Sequence, residues 1–417
     1  MSPVAQRKLL KSRKPPICFA MSSDTSVQNA RISAEEGIQT QRDPRGSALK
    51  PTVDDRGENR DFLGAALIQS HSEPRSSIQT WINNIQLYRF PLALAVVAVH
   101  SGECVATVSR TALSGGESTL GLWLVDFLTM ISRLATPSFL LISGLIFCKD
   151  GRVSHDQYCR KVKSRCRTLL VPYLAWNFIA VLLFCAPSAF KYFFLPPGSY
   201  TYPPLTLTGL VAWMVGWPVY PADGPLWFVR DLLLLIALMP ILNFIPQRTQ
   251  IIGIATLCIY WLLFPIDVIP GGVPRAFSVL FFMIGVVMGM NPALLRACAG
   301  AKWLIYVTAA ALLFAAAGGA TCSTWGEDYS GLRSFLEKIV RISGTLLVVC
   351  AGARVRFPTW LSAQLHRVSP AAFFLFASHY LGFICIAPLF AEAAQGPLGQ
   401  GHDVLLFALI SSTVISA

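Results

Sequence analysis

The chain has 417 residues, 54% of them hydrophobic and only 13% charged, with a formal net charge of +12. A soluble domain of this length would show a solvated surface with roughly a quarter of its residues charged, so that class is excluded. The basic excess does not point to nucleic acid. Lys and Arg concentrate in the N-terminal tail and in short segments between apolar stretches, as the positive-inside rule expects.

Residues 1–84 are rich in Ser, Arg, Asp, Gln and Pro and lack sustained periodicity. Such a chain cannot bury enough apolar surface to order itself, so a disordered cytoplasmic tail is expected. Its start, "MSPVAQRKLLKSRKPPICFAM", has no uninterrupted apolar core of about 7–15 residues and does not read as a signal peptide. From residue 85 onward, hydropathy marks about ten spans of the type that crosses a bilayer as a helix. They lie at 87–107, 122–148, 169–187, 225–245, 250–269, 277–291, 303–320, 338–353, 370–391 and 403–417. The alternation of a lipid-embedded β-barrel is absent. The expected fold is an all-α, polytopic transmembrane bundle over 85–417.

Orientation follows from the segments between spans. The stretch 149–168 carries Lys149, Arg152, Arg160, Lys161, Lys163, Arg165 and Arg167 and is expected inside, together with the N-terminus. The segment 188–224 has only Lys191 among Lys and Arg, is rich in Pro, Tyr and Trp, and suits the outer face. Threading alternately puts Arg248, Arg296, Lys302, Arg354, Arg356 and Arg367 inside. A weak exception is the expected outer loop 321–337, which mixes Arg333 with Glu327, Asp328 and Glu337. The last stretch, "LLFALISSTVISA", stops while still apolar, which reads as a truncated chain or a short final helix. The eleven cysteines are scattered without a C-x-x-C pair, so buried free thiols are expected and no metal site.

A titratable group inside a span costs about 2.5 kcal/mol or more and needs a reason. Of six histidines, only His100 and His379 fall deep in expected spans. The first span reads "YRFPLALAVVAVHSGE", residues 88–103. Arg89 and His100 are eleven positions apart, which returns to nearly the same helix face about 16 Å along the axis. Glu103 is one turn beyond His100, placed to hold the imidazole by a hydrogen bond. Arg89 also reads as a snorkelling anchor, and His100 as a structural histidine. A near-neutral base oriented by a carboxylate fits His100 better.

In the second span, "MISRLATPSFLLISGLIF", Arg133 shares a face with Asp126. Pro137 is expected to kink the helix, and Ser143–Gly144 allow close helix contact. The fourth span opens "GPLWFVRDLLLL", with Trp227 and Arg230 just below the outer interface and Asp231 as a local partner for Arg230. The ninth, "SPAAFFLFASHYLG", carries His379 some 13 Å above the cytoplasmic end.

Together these stretches resemble the membrane acyltransferase-3 family, integral-membrane O-acyltransferases of cell-surface glycans. The resemblance rests on Arg89 and His100 in the first span. The second span contributes Ser132, Arg133, Ala135, Pro137, Phe139, Ser143 and Gly144. Further matches are "RTLLVPYLAW" from Arg167 to Trp176, Gly224 to Phe228, and Ser369, Phe374 and His379. Leu140 and Phe376 stand where relatives often carry an aromatic residue and a tyrosine.

The resemblance implies transfer of an acyl group, usually acetyl, from cytoplasmic acyl-CoA to a hydroxyl of an outer-face or lipid-linked glycan, with no bound cofactor or metal. Acyl transfer needs a base for the acceptor and donors for the developing oxyanion. His100 is the candidate base or acyl acceptor. Glu103 is expected to orient it, on its spacing alone and not on the resemblance, and Arg133 and Arg230 are the candidates to bind an anionic acceptor or stabilise charge. Arg89, Ser143, Trp227 and His379 are the substrate-binding candidates, with Arg89 at the cytoplasmic mouth for a CoA phosphate or the pantetheine arm. The rival reading is a multi-span transporter or flippase of a glycan intermediate. Ten spans and intramembrane charges fit it, but no internal repeat of the kind common in transporters is visible.

Overall fold

The computed structural model describes residues 81, 84–112, 119–185, 206–264, 274–325, 327–352, 354–355 and 357–394. Residues 1–80 of the expected tail and the expected tenth span, 403–417, lie outside the described residues. Among the described residues there is no strand, and nearly all regular structure is helical.

The first helix, α1 (Arg89–Ala112), is unbroken through the stretch that carries Arg89, His100 and Glu103. The second span is two helices in succession, α2 (Thr119–Ser132) and α3 (Ala135–Phe147). The interruption at Arg133–Leu134 lies four residues before Pro137, where the proline lacks the N–H that would bond the Arg133 carbonyl. The expected kink therefore falls at Arg133 itself. Ser138 bonds back to the Leu134 carbonyl from both its N–H (3.2 Å) and its hydroxyl (2.7 Å), which closes the turn.

The basic stretch after α3 is more ordered than a loop. It forms α4 (His155–Arg165), opened by a capping box in which Ser154 and Gln157 bond each other's backbone N–H. No residue of α4 is buried. The chain then passes through a π-helical turn, Cys166–Leu170, into α5 (Val171–Phe184). Within the expected outer segment 188–224 lies a short helix, α6 (Leu207–Val215), capped by the Thr206 side chain and ended by Gly216 at φ 73°. At nine residues it is too short to register as a span.

The remaining helices are α7 (Trp227–Phe244), α8 (Gln247–Leu263), α9 (Ala276–Met290), α10 (Pro292–Gly300), α11 (Lys302–Trp325), α12 (Ser330–Gly352), α13 (Thr359–Val368) and α14 (Ala372–Ala394). One correction matters below. The expected loop 321–337 is mostly helix, because α11 runs to Trp325 and α12 starts at Ser330, so Arg333 and Glu337 are helical residues.

Among the described residues, four helical stretches are long and apolar enough to cross a membrane: 120–147, 155–184, 224–244 and 302–325. A fifth counts if α9 and the start of α10, bent by 105° around Asn291, form one broken span. Large apolar residues point outward from several of these helices, with Phe244 at 85% and Phe314 at 78% exposure. Exposed apolar area on that scale marks a surface that water does not cover.

The core is centred on α3 and α9, whose backbones touch. A Cβ on Gly144 would stand 2.2 Å from the Phe282 carbonyl oxygen, and one on Gly285 2.0 Å from that of Leu141. Only glycine permits that approach, the arrangement by which small residues draw membrane helices together. α11 packs along α12, α14 along α1, and α2 lies between α1 and α11.

Candidate active site

α1 turns Val96, Val99, His100 and Glu103 toward one cavity of about 160 Å³. The spacing is that of one helix face, and Arg89, seven positions before Val96, shares it. The break between α2 and α3 delivers Arg133 to the same cavity, followed by Thr136 and Pro137. The starts of α7 and α9 contribute Trp227, Phe228, Arg275 and Phe277; α12 contributes Arg341 and α14 Phe376.

An ionic chain runs beside it from α1 through the α2–α3 break to α12. His100 Nδ1 lies 3.3 Å from Glu103 Oε2, and Glu103 Oε1 accepts from Arg133 Nη2 at 3.1 Å. The other Arg133 nitrogen, Nη1, donates to Glu337 Oε1 at 3.1 Å, and Glu337 also accepts from Arg341 one turn along α12. A second pair, Arg333 and Asp126 at 3.7 Å, links α12 to α2. With Glu103 on its Nδ1, His100 keeps Nε2 as the basic nitrogen.

His379 sits behind His100, with ring centroids 5.2 Å apart, and is 1% exposed. Its Nδ1 is 2.6 Å from the Phe376 carbonyl, which can only accept, so Nδ1 carries the proton. Nε2 is buried with no hydrogen-bond partner among the described residues. The Tyr380 ring lies 6.0 Å from that of His100, edge to face.

The expected site residues separate into those the fold gathers and those it does not. His100, Glu103, Arg133 and Trp227 line one cavity, and His379 packs against His100. Arg230 does not line the cavity. Its Nη1 donates to the Gly216 carbonyl at 2.6 Å, while Nε and Nη2 hold Asp231 Oδ1. Asp231 Oδ2 accepts from the Arg275 N–H at 3.0 Å and the Ser278 hydroxyl at 2.8 Å. Arg230 thus ties the turn after α6 to the starts of α7 and α9. Ser143 is half-buried on α3, away from the lining residues. Arg89 also lies outside the lining, about 16 Å below His100 along the unbroken α1. Arg165 is near enough to Arg89 to act on it electrostatically.

Sequence reasoning misses Arg275, Arg341, Glu337 and Tyr380 as site residues. Arg341 carries the clearest signal, an arginine inside an expected span. Arg275 stands at the edge of another, and hydropathy puts Glu337 in a loop.

The cavity lies at the end of the bundle away from the basic helix. Lys161 of α4 caps the last turn of α3 by donating to the Phe147 carbonyl, whereas the cavity is built from the first turns of α3, α7 and α9.

Residues 82–417 match the family model described as an acyltransferase domain, Acyl_transf_3. The chain belongs to this acyltransferase family. Its helices and its family together make it a membrane acyltransferase. It is also similar to the succinoglycan biosynthesis protein ExoH of Rhizobium meliloti (strain 1021), 26% identical over 265 residues, which is 62% of this chain and 68% of the relative. No solved structure matches the chain.

Proposed function

We propose that the enzyme moves an acyl group, acetyl in the simplest case, from cytoplasmic acyl-CoA to a hydroxyl of a cell-surface or lipid-linked glycan. The observation that carries this reading is the His100–Glu103–Arg133 chain on the wall of a cavity remote from the basic helix. The glycan acceptor is suggested by the succinoglycan relative. Positive-inside topology turns the cavity toward the outer face, with Arg89 toward the cytoplasm.

In this mechanism the acceptor hydroxyl attacks the thioester carbonyl carbon while His100 Nε2 takes its proton. Glu103 stabilises the resulting imidazolium through Nδ1, and Arg133, shared by Glu103 and Glu337, fixes the carboxylate in place. The tetrahedral oxyanion then collapses, the C–S bond breaks, and the imidazolium returns the proton to the CoA thiolate. An acyl-histidine route uses the same groups, with Nε2 attacking first and the glycan hydroxyl second. Arg89 and Arg165 would receive the phosphate end of the donor, and the stretch of α1 between Arg89 and His100 would run beside its pantetheine arm.

Membranes carrying the chain are expected to release free CoA and label glycan when given radiolabelled acetyl-CoA. His100→Ala, inserted normally, is expected to lose both. Full transfer by that variant would remove His100 from the chemistry, and glycan movement without acylation by the wild type would favour a transporter.

A further inference from the structure

Three arginines reach the cavity, and two of them are already engaged. Arg133 is shared by Glu103 and Glu337, and Arg341 holds Glu337 as well. Arg275 is different. It is half-buried, and among the described residues no carboxylate faces its guanidinium. Its side-chain contacts are a hydrogen bond to the Tyr220 hydroxyl and the faces of two aromatic rings, Trp227 at 3.9 Å and Tyr220 at 5.3 Å.

Its position is fixed from behind. The backbone N–H of Arg275 is held by Asp231, whose other oxygen is taken by Arg230, so displacing the residue would break that cluster. A snorkelling arginine would extend toward the headgroups. This one folds back over Trp227, a ring that itself lines the cavity. Among the described residues one of its five donors is used, by Tyr220. A planar guanidinium lying over an aromatic ring with donors to spare matches an oxyanion in two-point geometry. Beside it Phe228, Phe277 and Phe376 offer apolar walls for a sugar ring.

We propose that Arg275 is an acceptor-recognition residue and that the acceptor carries an oxyanion, either a sugar carboxylate or a phosphate of its lipid carrier. This rests on the acyl-transfer reading for the identity of the ligand, but binding can be measured without catalysis. The first probe is an oligosaccharide containing glucuronic acid, compared with its carboxyl-reduced counterpart, on the purified full chain in detergent. The acid is expected to bind at least about tenfold more tightly, the worth of one hydrogen bond to a charged group. Arg275→Gln is expected to abolish the preference and Arg275→Lys to keep part of it. Inorganic diphosphate is the third probe. If it alone binds in an Arg275-dependent way, the oxyanion is assigned to the carrier.

Equal binding of all probes, no binding of any, or a preference that survives Arg275→Gln would overturn the proposal. Release of CoA from acetyl-CoA by the same preparation is scored separately. Its absence would count against acyl transfer and leave the binding result to stand alone.

Discussion

The α2–α3 span is held on its two sides by opposite physics. Against α9, α3 packs backbone to backbone through Gly144, Gly285 and Gly289, with no polar group needed. Against α1 and α12, the same span is joined by Arg133 to Glu103 and Glu337, with Ser138 touching Thr345 below. The first seam gains dispersion energy from every atom pair brought into contact. The second gains little net stability, because desolvating the ions largely offsets their attraction. The glycine seam therefore holds the bundle together, and the ionic seam sets where His100, Arg133 and Arg341 stand around the cavity. Charges kept in such a place at a cost in stability are the signature of a working site.

The sharpest way to break this contrast is through the glycine seam. Gly285→Leu would drive side-chain carbons into the α3 backbone at Leu141 and Leu145. The expected penalty is about 3 kcal/mol, the upper part of the range for overpacking, read as a large fall in thermal midpoint in detergent and the loss of inserted protein. Gly253→Leu on α8, where no atom lies within 4 Å of the added Cβ, is the control and is expected to change nothing. Equal behaviour of the two variants would mean that α3 and α9 do not pack as described.

The ionic seam should fail differently. Glu103→Gln keeps the shape and removes the charge that stabilises the His100 imidazolium. The Glu103 side chain is 46% exposed, so the thermal midpoint is expected to move little. Turnover, followed as CoA release, is expected to fall at least about 100-fold, the usual scale for general acid–base assistance. A variant that melted early yet turned over normally would reverse the division of labour between the seams.

A smaller effect tests whether the seam acts as one unit. A double-mutant cycle between Arg133→Met and Glu337→Gln should give a coupling of about 1 kcal/mol in unfolding free energy, as for partners in a shared network. Zero coupling would show that the pair contributes nothing, as for many exposed ion pairs. Both side chains are only 21% exposed, which argues for a measurable term.

Much of the glycine side was readable in advance. Ser143–Gly144 suggested a close helix contact, Pro137 predicted a break, and the eleven-residue interval put Arg89 and His100 on one face. Each of these depends on spacing within one helix. The ionic side was only half readable, because its partners are far apart in the chain. Arg133 meets Glu103 across 30 residues and Glu337 across 204. Glu337 was further hidden by hydropathy, since the first turns of α12 are too polar to look like part of a span. Arg230 and Arg275 are both arginines near the start of a span, and the sequence offers Asp231 only as a local partner for Arg230. What separates them is Asp231, which captures the Arg230 guanidinium but takes only the backbone of Arg275. His379 was legible as a second intramembrane histidine, and its contact with His100 was not.

One carboxylate at the same end of the bundle belongs to neither seam, and it refines the contrast. Asp223, just before the first turn of α7, is fully buried, and neither of its oxygens has a hydrogen-bond partner among the described residues. Its backbone is held, the N–H by the Asn177 side-chain oxygen at 3.0 Å and the carbonyl by the Leu226 N–H at 3.0 Å. Burial without a cation pushes its carboxyl well above the usual carboxylate range. The sign follows directly: the folded chain binds this proton more tightly than the unfolded chain does. Stability is therefore greatest below the ordinary carboxylate pKa and falls as pH rises from there toward the raised value. Asp223→Asn keeps the shape without the ionisation, so its thermal midpoint should exceed the wild type's at pH 8 and match it near pH 4. A lower midpoint at pH 8 would mean that the charged form is stabilised in place, as Glu337 is by its two arginines.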